Sequence, residues 1–412
     1  MEEIEAIVTE LEKENNKRAA ADPLVKKSLE IVEEFVRSHR VLCYGGTAIN
    51  NLLPKESRFY DPIYDIPDYD MFTLTPQEHA MRLANQLRDA GIKTIEVKPG
   101  IHLGTFKVFA DYEAVADITE LEKPIFDKLW DANVVRDGIH YVTPDFLRMS
   151  MYLELSRPRG DVSRWKKVYQ RLRLLNNAHP IVCKEGTTSH PKVESHHKKE
   201  VKRLLKTQKF ILLGFTAAEI HLRKNWTTPV MMLAEHDTIQ SYIKGKKHLF
   251  DEGNEILPPL YSLQDESGNV YMKVYETTAC HSFHEMRDGT RIASIPTILQ
   301  FFFAYLYSNA QEENIANTLC VAQQLVEISN SSPRRRFSLL TPKECLGTQE
   351  TLVDMRKHKA TLYEKLSKNR GSIDFIRYFF TYNPRAPKTE RARIRERLQR
   401  TRKARTRSET SE

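Results

Sequence analysis

Val41-Leu42-Cys43-Tyr44-Gly45-Gly46-Thr47-Ala48-Ile49-Asn50 is the stretch on which the architecture turns. Its apolar run reads as a short strand, and the glycine pair that ends it leads straight into residues that open a helix. Backbone N–H groups left unpaired at such a corner hold anionic oxygens, such as those of a triphosphate. Gly45 and Gly46 are therefore candidate phosphate contacts, with Thr47 beside them.

Downstream, Ile66-Pro67-Asp68-Tyr69-Asp70-Met71-Phe72 carries two carboxylates two residues apart, and in an extended segment such residues project from one face. A third carboxylate, Asp117, lies in Ala114-Val115-Ala116-Asp117-Ile118, which together with Phe106-Lys107-Val108-Phe109 reads as strand beside the first. An Asp-x-Asp alone is weak, because Asp is common in turns. The order strand, Gly-Gly, helix, Asp-x-Asp strand, single-Asp strand is far more specific. Three carboxylates suit two hard cations, Mg²⁺ or Mn²⁺, one activating an attacking hydroxyl and the other stabilising a departing pyrophosphate.

With Ala116-Asp117-Ile118-Thr119, these motifs resemble the poly(A) polymerase catalytic subunits of large nucleocytoplasmic DNA viruses, in the DNA polymerase β-like nucleotidyltransferase superfamily. The matching motifs span about residues 40 to 175. The resemblance implies that Asp68, Asp70 and Asp117 are catalytic and bind two metal ions, and that Gly45 and Gly46 contact the incoming nucleotide. It implies in-line attack of a single-stranded RNA 3′-hydroxyl on the α-phosphate of ATP. It further implies a separate viral processivity subunit, with a homodimer as the alternative source of processivity, and a cytoplasmic site of action in an infected cell, viral factory or virion. The stretch between Gly46 and Asp68 is longer than in most cellular members, and the viral branch tolerates such an insert.

Composition narrows the field. A chain of 412 residues holds two or three domains. It opens Met1-Glu2-Glu3, acidic where a secretory signal would be basic and then apolar, and its most apolar run, Ile298 to Tyr307, is too short to cross a bilayer. No membrane partner is expected. Five cysteines with no Cys-x-x-Cys pair suit a reducing compartment and argue against a disulfide framework or zinc ribbon. His190, His196 and His197 show no ligand spacing and read as linker residues. A net charge of +8 favours a polyanionic partner. Eleven Lys or Arg fall between Arg385 and Arg407 against only Glu390 and Glu396. Such a tail reads as flexible in isolation and as an RNA-holding arm, with a solubilising or localising tail as the plain alternative.

Ile4, Ile7, Val8 and Leu11 recur at helical spacing, and Asp22-Pro23 announces a second helix with Val25, Leu29, Val32, Phe35 and Val36 on one face. Thr75-Pro76 repeats that signal, so helices over Pro76 to Ala90 and Asp145 to Leu155 are expected on the sheet. The helix Ser163 to Leu175 carries an apolar stripe with Arg164, Lys167 and Arg171 beside it. Lys167 and Arg171 are candidates to clamp triphosphate or the RNA backbone, with a solvated face as the plain reading.

The second half echoes the first. Arg40 to Ala48 aligns with Lys209 to Ala217, Phe106 to Phe109 with Met272 to Tyr275, and Arg136-Asp137-Gly138 with Arg287-Asp288-Gly289. Phe215 replaces the second glycine, and the ungapped alignment sets Phe283 against Asp117, so the second copy reads as inactive. The expected fold is α+β: a catalytic nucleotidyltransferase domain with a mixed sheet flanked by helices, followed by a degenerate nucleotidyltransferase-like domain. Boundaries are expected at 1–39 for an N-terminal helical segment, 40–185 for the catalytic domain, 186–384 for the degenerate one and 385–412 for the tail. Three activities fit: poly(A) addition to RNA; another nucleotidyl transfer, such as tRNA end repair or oligoadenylate synthesis; and a non-catalytic RNA-binding scaffold.

Overall fold

The computed structural model describes residues 2–61, 63–183, 195–222, 229–277, 279–308, 315–334, 337–340 and 343–409. Two helices, α1 (Glu2–Ala21) and α2 (Pro23–Ser38), open the chain, and Asp22 joins them by accepting the N–H groups of Leu24 and Val25 at 2.7 and 3.3 Å. That capping bond and Pro23 in the first turn start α2, which buries Val32, Phe35 and Val36. On α1 the apolar stripe of Ile4, Ile7, Val8 and Leu11 stays exposed.

The chain then lays down β1 (Leu42–Tyr44), α3 (Gly45–Leu52), β2 (Tyr69–Thr73), α4 (Pro76–Asp89), β3 (Ile95–Pro99), β4 (Thr105–Ala110), β5 (Glu113–Glu120), α5 (Lys123–Ala132), β6 (Val134–Arg136) and β7 (Ile139–Tyr141). These strands form a seven-stranded mixed sheet in the order β3-β4-β5-β2-β1-β7-β6. Along β2, Tyr69, Met71 and Thr73 are buried on one face, leaving Asp70 and Phe72 on the other. Thr75 precedes α4 as expected, yet its side chain makes no capping bond; its hydroxyl lies 3.3 Å from His79 Nδ1.

The next elements are α6 (Pro144–Leu155), α7 (Trp165–Ala178), α8 (Ser195–Lys206), β8 (Phe210–Leu213), α9 (Gly214–His221), β9 (Val230–Ala234), α10 (His236–Ile243), β10 (His248–Asp251), β11 (Leu260–Gln264), β12 (Val270–Glu276), β13 (His281–Glu285), β14 (Arg291–Ala293), α11 (Ile295–Tyr305), α12 (Ile315–Ser331) and β15 (Cys345–Leu346). Their sheet runs β10-β11-β12-β9-β8-β14-β13-β15. Apart from the added β15, this is the first sheet's order again, with matching parallel and antiparallel senses. The chain closes with α13 (Leu352–Leu366), α14 (Ile373–Phe379) and α15 (Lys388–Glu409).

Contacts divide the chain into one unit of Met1–Thr143 with Leu352–Glu412 and another of Pro144–Thr351. This differs from the boundaries drawn at 185 and 384. Helix α6 packs on α11 instead of the first sheet, with Tyr152 stacked on Phe303 and Phe146 edge-on to Tyr307. The last sixty residues return to the first unit: Val97 and Tyr382 exchange backbone hydrogen bonds, Phe380 packs on Phe106, and Arg385 reaches the carbonyl of Ile92. The basic tail is helical, as α15, with Leu398 buried.

Two further expectations are corrected. Cys183 bonds Cys320 and Cys280 bonds Cys345, leaving Cys43 as the buried free thiol. The partners lie 137 and 65 residues apart, so only the tertiary fold brings them together. His197, read as linker, is a buried residue of α8 stacked on Tyr271; His190 lies outside the described residues, as does the side chain of His196.

Candidate active site

Gly45 makes the corner between β1 and α3 with φ +73°, a left-handed conformation that costs glycine nothing. A Cβ there would overlap Asp70 Oδ2, so this residue must be glycine both for its backbone and to let the carboxylate lie against the first turn of α3. Strand registers then assemble one row across four strands. Tyr44 on β1 faces Asp70 on β2, Asp70 faces Asp117 on β5, and Asp117 faces Lys107 on β4. Asp68 is exposed just before β2, and its charge is felt at Cys43 and Tyr44.

The surroundings hold this row in place. Thr47 donates its hydroxyl to the Asp68 carbonyl at 2.6 Å, so this nucleotide candidate fixes the acidic strand through its backbone. Tyr44 stacks on Phe72 with centroids 3.7 Å apart, and its hydroxyl lies 3.0 Å from that of Thr119. Asn50 accepts the N–H groups of Phe59 and Tyr60, anchoring the long connection between α3 and β2. Behind the sheet, the Tyr69 hydroxyl donates to Glu33.

Negative charge accumulates on this face. Burial, reinforced by the charges of Asp70 and Asp68, pushes the Cys43 thiol far above its usual range; burial and Asp70 do the same to the Tyr44 phenol. Lys107 Nζ meets Asp117 Oδ2 at 2.5 Å, while Asp117 Oδ1 is buried with no hydrogen-bond partner. Among the described residues no three His, Cys, Asp or Glu groups already converge as a metal cage. The donor set nevertheless fits divalent metal: hard oxygens side by side in register, one of them unsatisfied, on an electronegative face. The sequence reading missed Lys107; its available signal was a cation between the buried Phe106 and Val108 of an apolar strand, and so on the opposite face from them.

Lys167 and Arg171 lie on α7 in the second unit, near Glu154, whose carboxyl is raised by burial against their opposing charges. The carboxylate row is built entirely from first-unit elements.

In the second sheet the equivalent row reads Leu213, Met231, Lys273 and Ser262. Gly214 keeps the left-handed corner at φ +58°, and Phe215 packs on Phe302 with centroids 4.9 Å apart. Topology thus corrects the ungapped alignment: β12 corresponds to β5, not β4, and Lys273, not Phe283, stands where Asp117 stands. Burial lowers the Lys273 ammonium.

The mixed sheet thus sets two carboxylates in register on adjacent strands, beside a strand–glycine–helix corner. Residues 30–161 match the family model described as poly(A) polymerase catalytic subunit. Proteins named poly(A) polymerase catalytic subunit from African swine fever virus (Kenyan isolate) and from Acanthamoeba polyphaga mimivirus are 32% and 29% identical over 171 and 157 residues. These stretches cover 40% and 37% of this chain, but only 36% and 26% of the relatives' length. The Megavirus polyadenylate synthase structure has the same fold, with TM-score 0.80 over 97% of this chain and 89% of that one at 18% identity. No helix among the described residues is long and apolar enough to cross a membrane.

Proposed function

We propose that this chain is a template-independent poly(A) polymerase that transfers AMP from ATP to the 3′ end of single-stranded RNA. The observation that carries this reading is the in-register pairing of Asp70 with Asp117 on a face whose helix corner is kept open by Gly45. Asp68, Asp70 and Asp117 are the residues that would hold two Mg²⁺ or Mn²⁺ ions. Those ions supply activation of the RNA 3′-hydroxyl and neutralisation of the leaving pyrophosphate.

The chain's own residues position the parts. Gly45 and Gly46 admit phosphate to the first turn of α3, where backbone N–H groups point outward. Thr47 fixes Asp68 through its carbonyl, and Lys107 restrains Asp117 and balances its charge. Tyr44, Phe72 and Thr119 form the apolar and hydrogen-bonded floor beside them. The cationic helix α15 adds a sequence-independent attraction for RNA phosphates, which weakens as salt rises.

The test is extension of a labelled single-stranded RNA by the purified chain with each NTP separately, with Mg²⁺ or Mn²⁺. ATP alone is expected to give long products, and Asp70→Ala and Asp117→Ala none. Products with CTP and ATP confined to tRNA ends, or 2′-linked oligoadenylate without primer, would assign a different nucleotidyl transfer. RNA binding without any transfer, unaltered in Asp117→Ala, would return the scaffold reading.

A further inference from the structure

We propose that the groove between α10 and the β10–β11 edge of the second unit is a binding site for single-stranded RNA, separate from the carboxylate row. The groove is shallow and open, with a volume of about 520 Å³, and is lined by Lys244, Lys246, His248, Phe250, Tyr261 and Gln240 among others, with no carboxylate among its lining residues. The chain that builds it, Lys244-Gly245-Lys246-Lys247-His248-Leu249-Phe250, interleaves cations with rings. Gly245 turns that chain with φ +75° and open space on its Cβ side.

The rings are arranged as a platform. Phe250 lies directly across from Tyr261 in the β10–β11 register, and His248, two residues earlier, shares its face. Ring centroids are 4.9 Å apart for Phe250 and Tyr261 and 6.1 Å for His248 and Tyr261. Tyr261 is fixed by a hydrogen bond from Gln240 at 2.9 Å and by donating to Glu276 at 3.3 Å. Phe250, at 53% exposure, has a ring free to meet a ligand. Lys246 is held by Glu200 at 2.8 Å, whereas Lys244 has no carboxylate partner among the described residues.

Tyr261 is buried and backs the exposed rings of Phe250 and His248; exposed rings beside cations are the two components of single-strand recognition, bases stacking on rings and phosphates meeting ammonium groups. A protein ligand of opposite charge would be served by the lysines but would not need the rings; a free nucleotide would occupy only part of the row. This inference rests on the polymerase reading for its biological sense, since an elongating strand needs a hold away from the 3′ end.

The test is fluorescence anisotropy of a fluorescein-labelled 15-nucleotide RNA on the full chain, with Phe250→Ala, Lys244→Ala and the double variant, and extension of a short primer run in parallel. Phe250→Ala is expected to weaken binding by roughly 5-fold or more. Lys244→Ala is expected to lower the slope of log affinity against log salt by about 0.7. AMP addition to the short primer should stay at the wild-type rate. Affinity and salt slope unchanged in the double variant, with Asp70→Ala still abolishing extension, would overturn the groove and leave the polymerase reading standing. Displacement of the RNA from the wild type, but not from the double variant, by millimolar ATP would overturn it in favour of a mononucleotide site. Extension by neither wild type nor variants, with groove-dependent RNA binding intact, would sustain the groove and defeat the polymerase reading.

Discussion

Gly45→Ala offers the sharpest test, because the molecule contains its own control at Gly214. Both glycines form the strand-to-helix corner of their sheets, with φ +73° and +58°. An alanine at either is held in the left-handed region at a cost of about 1–2 kcal/mol, which lowers the melting temperature by a few degrees. The neighbours differ. At Gly45 the new methyl overlaps Asp70 Oδ2 and lies 3.0 Å from its Cγ, so the carboxylate must retreat by about 1 Å, a displacement that costs on the order of 100-fold when it affects a reacting geometry. At Gly214 the methyl meets the end of Met231, a flexible thioether with no charge to place. Differential scanning fluorimetry should therefore show similar losses for the two variants, while single-turnover AMP addition falls about 100-fold in Gly45→Ala and stays within about 3-fold of wild type in Gly214→Ala. Equal activity losses, or a Gly45→Ala enzyme near wild-type rate, would refute the argument that Gly45 is there to seat Asp70.

Other expectations follow from the same geometry. Lys107→Met removes the cation that balances Asp117, with side chains 36% and 15% exposed; stability without metal should fall by about 1 kcal/mol or less, and Mg²⁺ should raise the melting temperature more than in wild type. An identical Mg²⁺ shift in both proteins would contradict that role. Burial holds His79 down at about 4 and His281 at about 3, below the ordinary 6.5, so the unfolded chain binds more protons between those values. Stability should therefore be complete above about pH 6.5 and decline as pH falls through 6.5 toward 4, visible as a falling melting temperature; a flat profile over that window would count against these buried neutral imidazoles. Thiol titration in denaturant without reductant should find Cys43 alone, and all five cysteines after reduction. Five reactive thiols at the outset would remove both disulfides.

The strand arrangement around the candidate site was legible because its signals are local. The glycine corner, the Asp-x-Asp strand and Asp117 each sit in a short segment whose periodicity fixes a face, and the structure pairs Asp70 with Asp117 as that reading requires. Lys107 was not legible as a site residue, because its approach to Asp117 depends on an antiparallel register that no single segment reveals. The repeat was read correctly in kind at Gly214 and at the Asp288-Gly289 turn, but an ungapped comparison assumes equal connections. The segments between corresponding strands differ in length, which displaced β12 onto β4. Helix α6 has the spacing of a sheet-packing helix, and its choice of α11 as partner is a tertiary decision.

The return of residues 352–412 to the first unit bears on how the molecule is made. On the ribosome the continuous unit, Pro144–Thr351, is complete while the one begun earlier still lacks the segment that pairs Tyr382 with Val97 and brings Arg385 to Ile92. About 200 residues separate the two parts of the interrupted unit, an interval of roughly 10–40 s at ordinary translation rates. During that time β3 waits without Tyr382, and Gln77 and Asn85 without their partners at Arg377 and Tyr382. The unit that emerges first is thus finished after the second one, so the carboxylate-bearing half becomes fully assembled only once the segment after residue 351 has been made.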